Sequence, residues 1–304
     1  MALKRIVNLA DSAHFLVIGA SGLIGQRFLR RLGPDRAIGT YHRRAFPGGA
    51  AFDLAADDLG DMIARTGRRF THGLILGGIV NIDDCARNVS ESRAVNVHGV
   101  VRAIEGLLRH DIVPIFASSD AVYDGSRGDW RESDAAEPIL TYGRQKLEIE
   151  RHLSRRGQPF VALRIAKVLD PDLAQGGVLG PWIRSLAEGD AIACATDQRF
   201  CPLGIDDVVT AIRQLAEKGT SGIFNLGGGE AVSRIELLDM LAAAAARHRT
   251  IKPLIKRCSL RDFRFLEARP LDLTLSIEKL RAATGYRPES LAALCERAAR
   301  NAFG

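Results

Sequence analysis

At 304 residues, 46% of them hydrophobic and 26% charged, the chain has the make-up of a folded globular protein with room for one large domain or two smaller ones. Its net charge of +6, from 42 basic against 36 acidic residues, is scattered, and the densest basic stretch, Arg247 to Arg257, lacks interleaved aromatics; this argues against a nucleic-acid surface and for a solvated face or an attraction for phosphorylated small molecules. Five cysteines (Cys85, Cys194, Cys201, Cys258 and Cys295) with no C-x-x-C pair argue against a metal cage or a disulfide framework, and no apolar run reaches the length of a membrane span.

Met1–Asn8 opens with a weak basic start and no long apolar core, so no secretory leader is read and a cytoplasmic location is expected. His14–Ile18 is a short apolar run ending in glycine, the pattern of a buried strand. Leu23–Leu32 has helical periodicity and stops at Gly33-Pro34. Between them lies Gly19-Ala20-Ser21-Gly22-Leu23-Ile24-Gly25. Glycines there permit a tight turn and close approach of the backbone to a pyrophosphate, and the helix N-terminus attracts its charge. Gly19, Ser21, Gly22, Leu23, Ile24 and Gly25 are therefore candidate dinucleotide contacts.

Ala37–Tyr41 is the next strand. After it, where an NAD site usually places an acid, the chain reads His42-Arg43-Arg44. A guanidinium matches phosphate oxygens bidentately, so NADP(H) is expected over NAD(H), with Arg43 the first contact and Arg44 the second. Asp53-Leu54, following another short strand, is read either as an adenine contact or as a helix N-cap. Gly73–Leu76 is a strand running into Gly77-Gly78, Ser90–Arg109 one long helix, and Val113–Ser118 a strand.

Leu140–Arg155 is a helix carrying Tyr142 and Lys146 four residues apart, so phenol and ammonium project from one face. A cation beside a tyrosine favours the phenolate, which predicts a lowered Tyr142 pKa. Ser118-Ser119-Asp120, between the glycines and this pair, offers a third hydroxyl, and the trio points to hydride chemistry on a carbonyl or alcohol. Phe160–Arg164 is a further strand. The alternation of strands and helices predicts an α/β fold of Rossmann type, a doubly wound parallel sheet.

Past Asp170 the pattern shortens. Gly176-Gly177, Gly180-Pro181 and Gly189-Asp190 break the chain, while Asp206–Lys218 reads as a helix, Ile223–Leu226 as a strand and Ser233–Arg247 as an alanine-rich helix. The expected organisation is a cofactor domain over 12–169, with 202–228 returning to it, and a smaller substrate-binding lobe over 170–201 and 229–304.

Gly19-x-x-Gly22-x-x-Gly25, Asn96 in Ala94-Val95-Asn96-Val97, Ser118–Gly125 and Tyr142-x-x-x-Lys146 together resemble the extended short-chain dehydrogenase/reductases. Asp124-Gly125 after Val122-Tyr123, Trp130–Asp134, Tyr142–Leu147 and Pro202–Val209 are similar to the dTDP-4-dehydrorhamnose reductase branch of that superfamily, and the similarity runs over most of 14–285. The resemblance implies that Tyr142 protonates the carbonyl oxygen, that Lys146 holds the nicotinamide ribose and that Ser119 bonds the substrate oxygen. It further implies cofactor contacts at Gly77 and Ser118, substrate contacts at Asp120 and Ala121, and at Asn96 either a cofactor contact or a structural role satisfying backbone beside the active-site strand. His98 and His110 read as ordinary surface or boundary residues and Cys85 as packed.

Two positions depart from the branch. Ala121 stands where sugar-nucleotide dehydratases resemble one another in a glutamate base, where epimerase-reductases of the GDP-fucose type carry cysteine, and where the rhamnose reductases carry tyrosine. Alanine moves no proton, which leaves plain carbonyl reduction. Lys167 stands where the rhamnose reductases usually place tryptophan, and is read either as a contact for a substrate carboxylate or phosphate or as a rim residue. Leu76–Val80 also replaces an alanine-rich stretch. The expectation is an NADPH-dependent reductase of a keto group on a nucleotide-linked sugar or related carbonyl compound, with no nucleic-acid or membrane partner, no metal, and a homodimer left open. The rivals are an NAD-dependent nucleotide-sugar epimerase and a non-catalytic subunit similar to the regulatory subunit of methionine adenosyltransferase.

Overall fold

The computed structural model describes residues 13–172 and 177–304. The strands at Phe15–Ile18, His72–Ile75 and Val161–Ile165 each begin or end in a β-branched or aromatic residue and are buried along their length, as a sheet covered on both faces requires. In chain order the first part runs β1 (Phe15–Ile18), α1 (Leu23–Leu32), β2 (Ala37–Tyr41), β3 (Ala50–Ala51), α2 (Leu59–Thr66), β4 (His72–Ile75), α3 (Ile82–Arg87), α4 (Val89–Arg93), α5 (Val100–Arg109), β5 (Val113–Ser119), α6 (Thr141–Arg156) and β6 (Val161–Ile165). It continues through β7 (Val168–Leu169), α7 (Leu179–Glu188), β8 (Ala191–Ala195), β9 (Arg199–Phe200), β10 (Leu203–Gly204), α8 (Ile205–Glu217) and β11 (Gly222–Leu226). It closes with β12 (Val232–Ser233), α9 (Arg234–His248), β13 (Leu254–Cys258), β14 (Asp272–Leu273), α10 (Glu278–Thr284) and α11 (Leu291–Phe303).

Seven strands form one sheet in the order β11-β6-β5-β4-β1-β2-β3, every neighbouring pair parallel. Alternate residues of β1 choose the two faces. Phe15 and Val17 pack with Phe28 of α1 and Ile212 of α8, whereas Leu16 and Ile18 pack with Met62 of α2, Ile104 of α5 and Ile149 of α6. That division makes the sheet doubly wound, as the strand–helix alternation predicts. It leaves the C-terminal ends of β1, β4 and β5 side by side, where loops meet rather than helices.

A second group of elements has its own core. β8 and β13 pair in parallel, β12, β9 and β14 form a small sheet, and α7, α9 and α11 bury Trp182, Leu237, Leu241 and Leu294 between them. α8 and β11 lie back with the large sheet, β11 alongside β6.

The expected single helix over Ser90–Arg109 is corrected. The chain runs instead as α4, a π-helical segment at Ala94–Gly99, and α5. The extra residue per turn lets Asn96 leave the regular hydrogen-bond ladder and serve a neighbouring loop. Helices α2, α7, α10 and α11, each 13 residues or shorter, carry no expectation from the sequence. The glycines of Gly176-Gly177 lie partly outside the described residues.

Candidate active site

The turn after β1 is walled by backbone. Gly19 holds φ at +82°, and a Cβ there would stand 2.5 Å from Gly77 Cα and N, so the β1–α1 turn and the end of β4 touch main chain to main chain. A Cβ on Gly25 would meet Ala20 Cα at 2.5 Å, which is how α1 comes so close to the strand. Gly22 is different: it is the N-cap of α1 with no side-chain cap, and a Cβ there would have Gly19 O at 3.6 Å as its nearest neighbour. The first-turn N–H groups of α1 face open space, the arrangement a phosphate needs. Arg43 and Arg44, exposed after β2, have no carboxylate partner among the described residues and edge the same cleft.

That cleft encloses about 1180 Å³ and runs between the sheet and the second group of elements. Gly19, Ser21, Gly22, Leu23, Ile24, Gly25, Arg43, Arg44, Asp53, Leu54 and Gly77 border one end, and Ser118, Ser119, Asp120, Ala121, Tyr142, Lys146 and Lys167 the middle. Asp53 is not a helix cap. Its Oδ1 accepts from Ala55 N at 2.8 Å, and α2 is capped by Asp58 instead.

Asn96 takes the structural role of its two readings and does not join the cleft wall. Its Oδ1 accepts from Ile79 N at 2.8 Å, and its Nδ2 donates to Ile79 O at 2.9 Å and to Gln145 Oε1 at 2.8 Å. The amide is fully used in pinning the loop after Gly78 to α6.

The central residues are brought together by α6 packing on the turn after β5. Gly143 makes this contact: a Cβ there would lie 2.0 Å from Ala121 O, so only glycine lets α6 pack this closely on the turn after Ser119. Ser119 Oγ donates to Asp120 Oδ1 at 2.9 Å and accepts from Ala121 N at 3.2 Å. Burial raises the Asp120 carboxyl, opposed by the Lys167 charge and the Ser119 bond. Ser118, one residue earlier, is committed elsewhere. Its Oγ donates to Glu150 Oε1 at 2.5 Å, and Glu150 forms a buried pair with Arg164 at 2.7 Å, which in turn donates to Tyr123 Oη at 2.6 Å.

The expected lowering of the Tyr142 pKa is overturned. Burial, then the neighbouring charges of Asp120 and Cys85, push the phenol well above its ordinary value, and the Ser119 bond only partly offsets them. Lys146 does not counter this, because its ammonium is drawn away. Nζ donates to Ala117 O at 2.7 Å, lies 5.4 Å from the Tyr142 ring centroid, and is itself lowered to about 8 by burial. In this state Tyr142 is a neutral phenol, the form that can give up a proton.

The far end of the cleft was not marked by any motif. Arg199, Arg234, Phe263, Phe265 and Arg269 border it. Arg234 sits with Cζ 5.1 Å from the Trp182 ring centroid, has no carboxylate partner among the described residues, and is lowered by burial. Its only sequence signal is a basic residue directly after the Ser233 cap, which reads as an ordinary helix start. Among the described residues no cluster of His, Cys, Asp and Glu suits a metal, and no helix is long and apolar enough to cross a membrane.

The family described as "RmlD substrate binding domain" matches residues 13–301. A dTDP-4-dehydrorhamnose reductase of Aggregatibacter actinomycetemcomitans is 26% identical over 289 residues, covering 91% of this chain and 95% of that protein. The β subunit of methionine adenosyltransferase 2 of Bos taurus is 26% identical over 248 residues, 75% of this chain and 71% of its own length. Among solved structures, the dTDP-4-dehydrorhamnose reductase of Bacillus anthracis in complex with NADP superimposes with a TM-score of 0.83 at 17% identity, over 94% of this chain and 98% of that one.

Proposed function

This chain belongs to the RmlD substrate-binding domain family and is an oxidoreductase of the extended short-chain dehydrogenase/reductase type, and on that premise we propose that it reduces a keto group on a nucleotide-linked sugar with NADPH. In this reading the large sheet, with α8 and β11, is the cofactor domain, and the elements around α7, α9 and α11 form a substrate lobe. The observation that carries it is the convergence of Ser119, Tyr142 and Lys146 on one cleft whose other end is the glycine-walled turn after β1.

The residues fit a dinucleotide. Gly22 leaves the α1 N-terminus open for the pyrophosphate, and the unpaired Arg43 and Arg44 suit an additional phosphate on the adenosine ribose. When bound, NADPH supplies the hydride. Tyr142 gives its proton to the oxygen that gains negative charge; burial keeps the free phenol protonated and makes it a weaker acid, so the transfer depends on the more basic oxygen that develops beside it. Ser119 turns its hydroxyl from Asp120 to the same oxygen. Lys146, with Nζ anchored on Ala117 O, orients the nicotinamide ribose. Ala121 offers no second proton-transfer group, which favours simple reduction over dehydration or epimerisation.

The test is NADPH oxidation followed against a panel of nucleotide-linked 4-keto sugars, with NADH in parallel. Turnover of at least one of them, faster with NADPH, is the expected result. No turnover with any of them, or equal efficiency with NADH, would overturn the proposal.

A further inference from the structure

The helix that carries Tyr142 and Lys146 is not capped by its own sequence. Its N-cap residue is Leu140, whose side chain has no acceptor. The first four N–H groups of any helix lack internal partners, and an uncapped first turn frays. Here the missing acceptor comes from Glu267, 126 residues away in sequence. Thr141 N donates to both Glu267 carboxylate oxygens at 3.0 Å, and Thr141 Oγ1 donates to Oε1 at 2.8 Å. Arg144 Nη2, one turn along, donates to the same Oε1 at 3.0 Å. A carboxylate at this position also meets the positive end of the helix dipole.

Glu267 belongs to the strap between β13 and β14, which has a second tie to the cofactor side. Arg269 Nη2 donates to Asp83 Oδ1 of α3 at 2.6 Å, and Leu266 N reaches the same oxygen at 3.3 Å. The strap also brings Phe263 and Phe265 to the far end of the cleft, their rings 6.1 Å apart. One segment thus borders the far end of the cleft and fastens the first turn of α6, which carries Tyr142.

We propose that Glu267 is a positioning residue for the reaction: capping α6 from the opposite lobe, it fixes the first turn and so holds the Tyr142 phenol at Ser119. This rests on the reading of Tyr142 as proton donor. It predicts that Glu267 acts on the chemical step and not on cofactor affinity, since no contact of Glu267 reaches the glycine turn or Arg43.

The experiment compares Glu267→Ala and Glu267→Gln in the full-length protein with NADPH bound. Exchange of the Thr141 amide is read alongside kcat on whichever keto sugar the panel identifies. In Glu267→Ala the Thr141 amide is expected to exchange about tenfold faster and kcat to fall about tenfold, with NADPH affinity held within about twofold, the scale of one lost helix cap. Glu267→Gln, which keeps an acceptor oxygen, should recover most of both. An unchanged Thr141 exchange rate in Glu267→Ala overturns the proposal. So does a uniform loss of melting temperature, NADPH affinity and kcat that Gln does not restore, which marks a merely structural contact. If wild-type protein turns over none of the panel, the functional reading fails, while the exchange rates still decide whether Glu267 caps the helix.

Discussion

The two ends of the cleft are made of different material. At the glycine end the wall is main chain: a Cβ on Gly19 would lie 2.5 Å from Gly77, and one on Gly25 would lie 2.5 Å from Ala20. At the far end the wall is side chain, with Arg199 from β9, Arg234 from α9, and Phe263 and Phe265 from the strap. A backbone wall has one shape and admits few residue types. A side-chain wall can be rebuilt one residue at a time without moving a strand. This separates a fixed glycine end from an adjustable side-chain end, the first proposed for cofactor and the second for substrate, and Tyr142 sits where they meet.

Tyr142→Phe tests that meeting point and carries the largest expected effect. Removing the proton donor should cost about a hundred- to ten-thousandfold in turnover, while NADPH titrated by its fluorescence binds as in wild type. Near-normal turnover would break the assignment. Gly22→Ala comes next and probes the backbone wall. Gly22 has φ −80° and no side chain pressing on it, so alanine suits the folded chain and the melting temperature should hold or rise. NADPH binding should nevertheless weaken about tenfold or more, the value of charge-assisted bonds to a phosphate that the methyl group keeps at a distance. Unchanged affinity would show that the α1 N-terminus is not the phosphate site.

Smaller effects separate the two ends directly. Arg43→Ala should weaken NADPH about tenfold and leave NADH and the keto sugar unaffected, whereas Arg234→Ala should raise the KM of the sugar by a similar factor of about ten and leave both cofactors unaffected. Each substitution is read by steady-state kinetics with both cofactors. If Arg234→Ala moves the NADPH affinity instead, the cleft is not divided as described.

The same difference explains what the sequence made legible. The C-terminal end of α1 is readable because Gly33-Pro34 stops the helix, and β2 because a short segment with Ile38, Thr40 and Tyr41 follows that stop. Gly19, Gly22, Gly25, Ser119, Tyr142 and Lys146 are readable because their spacing itself encodes a turn or a helix face. Asn96 is legible only as two alternatives, because nothing in Ala94-Val95-Asn96-Val97 signals the π-helical segment at Ala94–Gly99 or the bonds of its amide to Ile79. Arg234 and Glu267 escape for another reason. Their partners, Trp182 for one and Thr141 for the other, lie far away in sequence, and only tertiary packing joins them. The direction of the Tyr142 shift is likewise invisible, since helical spacing places a cation nearby without saying how deeply the pair is buried or that Ala117 O takes the ammonium.

Lys146 offers the finest test of that burial. Its ammonium is held down from 10.5 to about 8 by desolvation. A cation with a lowered folded-state pKa is disfavoured in the fold while it is charged. Below pH 8 both folded and unfolded chains carry its proton, and the folded protein bears the full cost of the buried charge. Between about 8 and 10.5 the unfolded chain still holds the proton and the folded chain has released it, so this group makes stability rise with pH. Lys146→Met removes the charge at every pH. It also leaves Ala117 O without its donor, a cost that does not depend on pH. In cofactor-free protein the stability of Lys146→Met relative to wild type should therefore be highest near neutrality and decline across that interval, with other titrating groups cancelling in the difference. Denaturant unfolding at a series of pH values measures it. A difference that stays level from pH 7 to beyond 10 would mean that Lys146 remains charged and solvated in the fold, and that the two ends of the cleft meet at a wetter junction than the buried Tyr142 phenol implies.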